Sequence, residues 1–138
     1  MIVSPPPVNA CIIDNNTTYV YGFKKLLNLK NLSSRVCTFN NGSEAISYFK
    51  NPLNANNLPD VIFLDISMPV MDGWEFMNEF AEIKSQLGKK ITIYILSSST
   101  DINDIERAKK NSDISDYIIK PVDVSRLAKI FRDLNDTN

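Results

Sequence analysis

Asp65 follows directly on the apolar run Val61-Ile62-Phe63-Leu64, and Ile66-Ser67-Met68-Pro69-Val70-Met71-Asp72-Gly73 follows it. A short unbroken apolar run suits a strand buried on both faces, as in a parallel sheet. Asp65 then sits where that strand ends, the edge at which open α/β sheets gather their ligands. A carboxylate beside a buried strand is costly to desolvate unless it has partners. Three further runs end in polar groups. Ala10-Cys11-Ile12-Ile13 leads into Asp14-Asn15-Asn16, Ile91-Thr92-Ile93-Tyr94-Ile95-Leu96 into Ser97-Ser98-Ser99-Thr100, and Asp116-Tyr117-Ile118-Ile119 into Lys120-Pro121. Two carboxylates, a hydroxyl and an ammonium therefore fall at one kind of position. Taken singly, each has a plainer reading. Asp14 could serve a helix N-terminus, Ser97 a turn or cap, Lys120 the solvated surface, and Tyr117 the core.

Composition narrows the chemistry. The chain has no histidine, so it offers no Ser-His-Asp triad, no imidazole metal ligand and no phosphohistidine of its own. Net charge is −1, and the basic residues come as scattered pairs such as Lys24-Lys25, Lys89-Lys90 and Lys109-Lys110. That distribution suits solvated helix faces and predicts no nucleic-acid partner. No apolar run approaches the roughly 20 residues of a membrane span, and Met1 opens no signal-peptide pattern, so no membrane partner and a cytoplasmic location are expected. Cys11 and Cys37 both fall in predicted strands and read as reduced packing residues. No Cys-x-x-Cys spacing supports a redox pair.

The elements that must position these groups alternate. A helix after Asp14 carries Tyr19, Val20, Phe23, Leu26 and Leu27, with Asn16 or Thr17 as its cap. Arg35–Phe39 reads as a strand, Ser43–Lys50 as a short helix, and Asn51–Pro59 as a loop. Asp72 and Glu75 form a capping-box pattern for a helix striped by Phe76, Met77, Phe80, Ile83 and Leu87, with Gly88 as its end. Trp74, Phe76 and Phe80 read as core. A helix follows near Asp101–Asn111, and a last one begins at Asp123 with Leu127, Ile130, Phe131 and Leu134 inward. Five βα units imply a parallel sheet with helices on both faces. With 138 residues and 43% hydrophobic content, one domain over 1–138 is expected, with a core of about 8–135.

In these motifs the chain resembles the receiver domain of two-component response regulators, of the stand-alone type. The resemblance rests on Asp14-Asn15, on Asp65 with its Met-Pro and Asp-Gly, on Ser97, and on Lys120-Pro121, in that order along the chain. It implies a flavodoxin-like, doubly wound five-stranded parallel sheet of order 2-1-3-4-5. It implies that Asp65 accepts a phosphoryl group from the phosphohistidine of a sensor histidine kinase or a histidine phosphotransfer protein. Mg2+ would be held by Asp14, Asn15, Asp65 and the backbone carbonyl of Ser67. Lys120 and Ser97 would meet the phosphoryl oxygens, Ser97 and Tyr117 would form a switch, and the bond before Pro121 would be cis. A switched face on the fourth helix, fifth strand and fifth helix would bind a downstream protein that the sequence does not name. On this reading the chain is a signalling switch rather than a turnover enzyme.

Asn15 departs from the family pattern, which usually has a second acid there, and weaker Mg2+ binding is expected. The same departure favours the alternative of a pseudo-receiver that binds proteins without phosphorylation. A small α/β enzyme or flavin binder at the same crevice lacks a Gly-rich phosphate loop and a histidine base.

Overall fold

The computed structural model describes residues 8–33, 35–68 and 70–137. Pro69 of the Met-Pro pair lies outside the described residues. The elements run β1 (Asn9–Ile13), α1 (Thr17–Leu29), β2 (Arg35–Phe39), α2 (Gly42–Lys50), β3 (Val61–Leu64), α3 (Gly73–Ile83), β4 (Thr92–Ser97), α4 (Ile102–Lys109), β5 (Ile114–Ile119) and α5 (Val124–Thr137). All strand pairs are parallel, and the order across the sheet is β2-β1-β3-β4-β5.

The helices cover both faces of this sheet, as the alternation of side chains along β3 makes plain. Val61 and Phe63 pack with Phe23 and Leu27 of α1 and with Leu127, Ile130 and Phe131 of α5. Ile62 and Leu64 pack with Ala45, Ile46 and Phe49 of α2, Phe76, Met77 and Phe80 of α3, and Ala108 of α4. Period-2 alternation thus feeds two cores from one strand, and every residue of β3 is buried. This is why its sequence is apolar throughout.

The helix starts follow the capping chemistry in the sequence. Asn16 caps α1 by accepting the Tyr19 N–H, and Asp72 with Glu75 closes a full capping box on α3. Three expectations need correction. The segment expected as a loop contains a 3-10 helix over Pro52–Asn57, because Pro52 sits at its first turn and the Asn51 side chain accepts the Leu53 N–H. Helix α3 stops at Ile83 and tightens into a 3-10 turn over Lys84–Gln86. Gly88, in the left-handed region at φ +69°, turns the chain only after that. Strand β5 begins at Ile114 rather than Asp116, with a register shift against β4 between Ile93 and Tyr94.

Candidate functional site

Sheet hydrogen bonding continues one residue past the strand ends, and it places the site. The Asp14 N–H donates to the Phe39 carbonyl at 3.0 Å, Asp65 to Ile13 at 2.9 Å, and Lys120 to Ser97 at 2.8 Å. Each polar residue is therefore anchored by the last residue of the neighbouring strand, and its side chain projects at the carboxyl edge. Asp14 and Asp65 follow β1 and β3, between which the chain reverses its direction of travel across the sheet. That is the switch-point crevice of a doubly wound fold.

Three of the expected residues meet there. Lys120 Nζ lies 2.7 Å from Asp14 Oδ2 and 3.7 Å from Asp65 Oδ2. Both carboxylates are buried, at 3% and 7% exposure, so the ammonium is what makes their proximity tolerable. Asp14 Oδ1 accepts the Asn16 N–H at 2.8 Å, and Asp65 Oδ1 accepts the Ser67 N–H at 3.2 Å. Burial pushes the Asp65 carboxyl above its ordinary value. The Ser67 N–H opposes that shift, the Asp14 charge adds to it, and Lys120 opposes it.

Ser97 ends β4 on the same edge at 1% exposure, with its Oγ accepting the Ser99 N–H at 3.2 Å. Among the described residues no hydrogen bond joins it to Asp65. Tyr117 lies on β5, packs against the α2/α3 core, and donates its hydroxyl to the Ser99 carbonyl at 2.8 Å. Asn15 and Ser67 flank the two aspartates and are exposed. The Lys120-Pro121 peptide bond is cis, as the resemblance implies.

Two participants escaped the sequence reading. Tyr19 was read only as part of a helix stripe, yet Lys120 Nζ stands 4.2 Å from its ring centroid. Burial, with the charges of Asp14 and Asp65, pushes its phenol up to about 12. Trp74 is core as expected, but its Nε1–H donates to Asp104 Oδ1 at 3.3 Å, and the Arg107 guanidinium lies 4.6 Å from its ring. Asp104 Oδ2 accepts the Ser99 hydroxyl at 2.9 Å. The β4–α4 loop that follows Ser97 is thereby tied through Ser99 to α3, α4 and β5. The signal was there in retrospect, since Ser99 lies in the hydroxyl run and Asp104 in the first turn of α4. Nothing in the spacing paired them.

The donor set can be tested for a metal. Among the described residues no group of three or more His, Cys, Asp or Glu side chains has metal-holding geometry, so a site of the zinc type does not fit. Two buried carboxylates at the carboxyl edge of the sheet, with Asn15 and Ser67 next to them in the chain, are a donor set that suits Mg2+. That ion takes one or two carboxylates and keeps several waters.

A doubly wound parallel sheet with two aspartates and a lysine converging at its switch point defines a receiver-type α/β domain. Comparison with known proteins makes the assignment specific. The family model for the response regulator receiver domain matches residues 10–132, and the chain belongs to that family. It is 21% identical over 131 residues to the probable methanogenesis regulatory protein FilR2 of Methanothrix harundinacea, covering 94% of this chain and 83% of that one. It also matches two much longer histidine kinases, of which it spans only 7% and 14%. Among solved structures, a response regulator receiver protein from Dyadobacter fermentans superposes with TM-score 0.77 at 29% identity, over 91% of this chain and 96% of the other. The receiver domain of the sensor histidine kinase PA1611 from Pseudomonas aeruginosa, solved with magnesium in its active site cleft, superposes with TM-score 0.72 at 20% identity. That match covers 94% of this chain and 98% of the other. The chain is thus a receiver domain of two-component signalling. Among the described residues no helix is long and apolar enough to cross a membrane.

Proposed function

We propose that the chain is a phosphoacceptor response regulator acting in the cytoplasm, with Asp65 as the acceptor. The observation that carries this reading is the Lys120 ammonium held at once by Asp14, at 2.7 Å, and by Asp65, at 3.7 Å. One Asp65 carboxylate oxygen attacks the phosphorus of a partner's phosphohistidine, from a sensor histidine kinase or a histidine phosphotransfer protein. The N–P bond breaks, an acyl phosphate forms, and the electron pair returns to the imidazole. Two anions must approach for this to happen, so transfer is largely positioning and charge neutralisation.

Asp14, Asn15, Asp65 and the Ser67 carbonyl would hold Mg2+, which supplies that neutralisation when bound. Lys120 exchanges its ion pair with Asp65 for the new phosphoryl oxygens while keeping Asp14. Ser97 releases the Ser99 N–H and turns its hydroxyl to the phosphoryl group. Because Tyr117 holds the Ser99 carbonyl, movement of that loop frees its ring to turn inward. The added group brings about −1.5 to −2 charges at neutral pH, and the altered face of α4, β5 and α5 is what a downstream protein reads.

The second reading is a pseudo-receiver that binds partners without phosphorylation, favoured by Asn15. Incubation with Mg2+ and a small phosphodonor such as phosphoramidate separates the two. The acceptor reading expects a phosphoryl adduct that peptide mapping places on Asp65 and that Asp65→Asn abolishes. Protein that stays unmodified under those conditions supports the pseudo-receiver.

A further inference from the structure

Cys11 and Cys37 lie far apart in the sequence with no motif spacing between them, yet the sheet sets them side by side. Strands β1 and β2 run parallel with Cys11 directly opposite Cys37. Opposed residues on neighbouring strands project to one face, and both cysteines pack with the same core beneath α2 and α3. Neighbouring strands lie about 4.7–4.9 Å apart, inside the roughly 4.4–6.8 Å of Cα separation that disulfides span.

The two thiols differ in character. Cys11 is buried and Cys37 half-buried, and β2 is an edge strand that can give laterally. The neighbouring Cys11 side chain holds the Cys37 thiol below its ordinary value, burial opposes that, and Arg35 adds to the lowering. Burial, with the Cys37 contact, pushes the Cys11 thiol up. A half-buried thiol on an edge strand therefore stands beside a buried one, the arrangement in which one cysteine reacts and the other resolves.

We propose that Cys11 and Cys37 form a reversible dithiol–disulfide site whose oxidant is a peroxide. The Cys37 thiolate attacks one peroxide oxygen, the O–O bond breaks, hydroxide leaves, and Cys37 becomes a sulfenic acid. The Cys11 sulfur then attacks the Cys37 sulfur, the S–O bond breaks, and the Cys11 proton leaves with the oxygen as water. In sum, two thiols lose two electrons and hydrogen peroxide becomes two waters. The strand spacing of about 4.7–4.9 Å is wider than the roughly 3.5–4.5 Å between the Cβ atoms of a disulfide, so the edge strand must draw in and the bond formed is of the easily reduced kind. It also has a route to the acidic pocket. The Phe39 carbonyl, on the same strand as Cys37, receives the Asp14 N–H at 3.0 Å.

The test is made on folded wild-type protein. Hydrogen peroxide is added, the protein is unfolded without reductant and alkylated, and intact mass is measured alongside a peptide map. The expected result is a loss of two hydrogens, no alkylation, a Cys11–Cys37 cross-linked peptide, and full recovery of alkylation after dithiothreitol. In Cys11→Ala the expected product is a Cys37 sulfenic acid trapped by dimedone. The wild-type arm decides alone, whatever the variant's stability. Alkylation of both thiols after peroxide overturns the proposal. So does cross-linking between chains through Cys37, or a Cys37 sulfinic acid beside a free Cys11.

Discussion

Gly73 offers the sharpest test of how the acceptor is held. It opens α3 immediately after the capping Asp72, and its N–H donates to the Ile66 carbonyl at 3.1 Å. A Cβ placed on it would lie 2.7 Å from Ile66 Cα, 2.8 Å from the Asp65 carbonyl oxygen and 2.9 Å from Ile66 Cγ2. Favourable carbon contacts need about 3.5–4.0 Å, so Gly73→Ala must open a gap of roughly 0.7 Å or more. Two of the three atoms are backbone, and no rotamer change relieves them. Overpacking of this kind costs about 1–3 kcal/mol.

The displaced atoms belong to the acceptor segment itself, so the effect on transfer should exceed the effect on stability. Misplacement of a reacting group by about 1 Å costs on the order of a hundredfold in rate. Gly22→Ala is the matched control. It lies within α1, where an added Cβ meets nothing within 4 Å, and should stabilise by about 0.5–1 kcal/mol. Urea unfolding followed by the emission of Trp74, with phosphoryl uptake from phosphoramidate in parallel, reads both quantities. A Gly73→Ala protein with a midpoint at or above wild type, or with unchanged uptake, refutes the reasoning.

Asp65→Asn should raise stability at pH 7 by about 1 kcal/mol, since it removes a buried charge while Lys120 keeps Asp14. Burial raises the folded-state Asp65 carboxyl, so its stabilising protonated form is present below the ordinary carboxylate range and lost as pH rises through the raised value. The gain from Asn must therefore shrink as pH falls from 7 to 4 in paired thermal melts, and a constant gain contradicts the sign. Asn15→Asp should tighten Mg2+ roughly tenfold by titration calorimetry. The estimate is twice the ~1 kcal/mol of a unit pair at about 4 Å in water, discounted for exposure; unchanged affinity removes Asn15 from the site. Asp104→Ala should cost about 1–3 kcal/mol and shift the Trp74 emission, because it leaves the indole N–H and the Ser99 hydroxyl without their shared acceptor. An unmoved spectrum argues that the tie between α3 and the β4–α4 loop is not maintained in solution.

What was legible in the sequence follows from the kind of sheet it builds. A parallel strand buried on both faces must be apolar along its length, so Val61–Leu64 declares itself, and the residue that breaks the run marks the carboxyl edge. Four such breaks gave Asp14, Asp65, Ser97 and Lys120, and the capping signals of Asn16 and Asp72 fixed where two helices begin. Short-range chemistry of this kind is written in adjacent residues. Lateral relations are not. The pairing of Cys11 with Cys37 depends on the register of β1 against β2, and a slip of one residue would send the two thiols to opposite faces. The Trp74–Asp104–Ser99 contact depends on how α3 and α4 lie over the sheet. Asn51–Pro59 failed differently, since its Asn and Pro content is shared by loops and by the tight helical turn it forms. The capping Asp72 and the close-packed Gly73 join the two levels. The first is needed by the helix it starts, the second by the acceptor strand that helix must touch. An Asp-Gly pair after β3 is thus one local signal that answers both a local and a distant constraint.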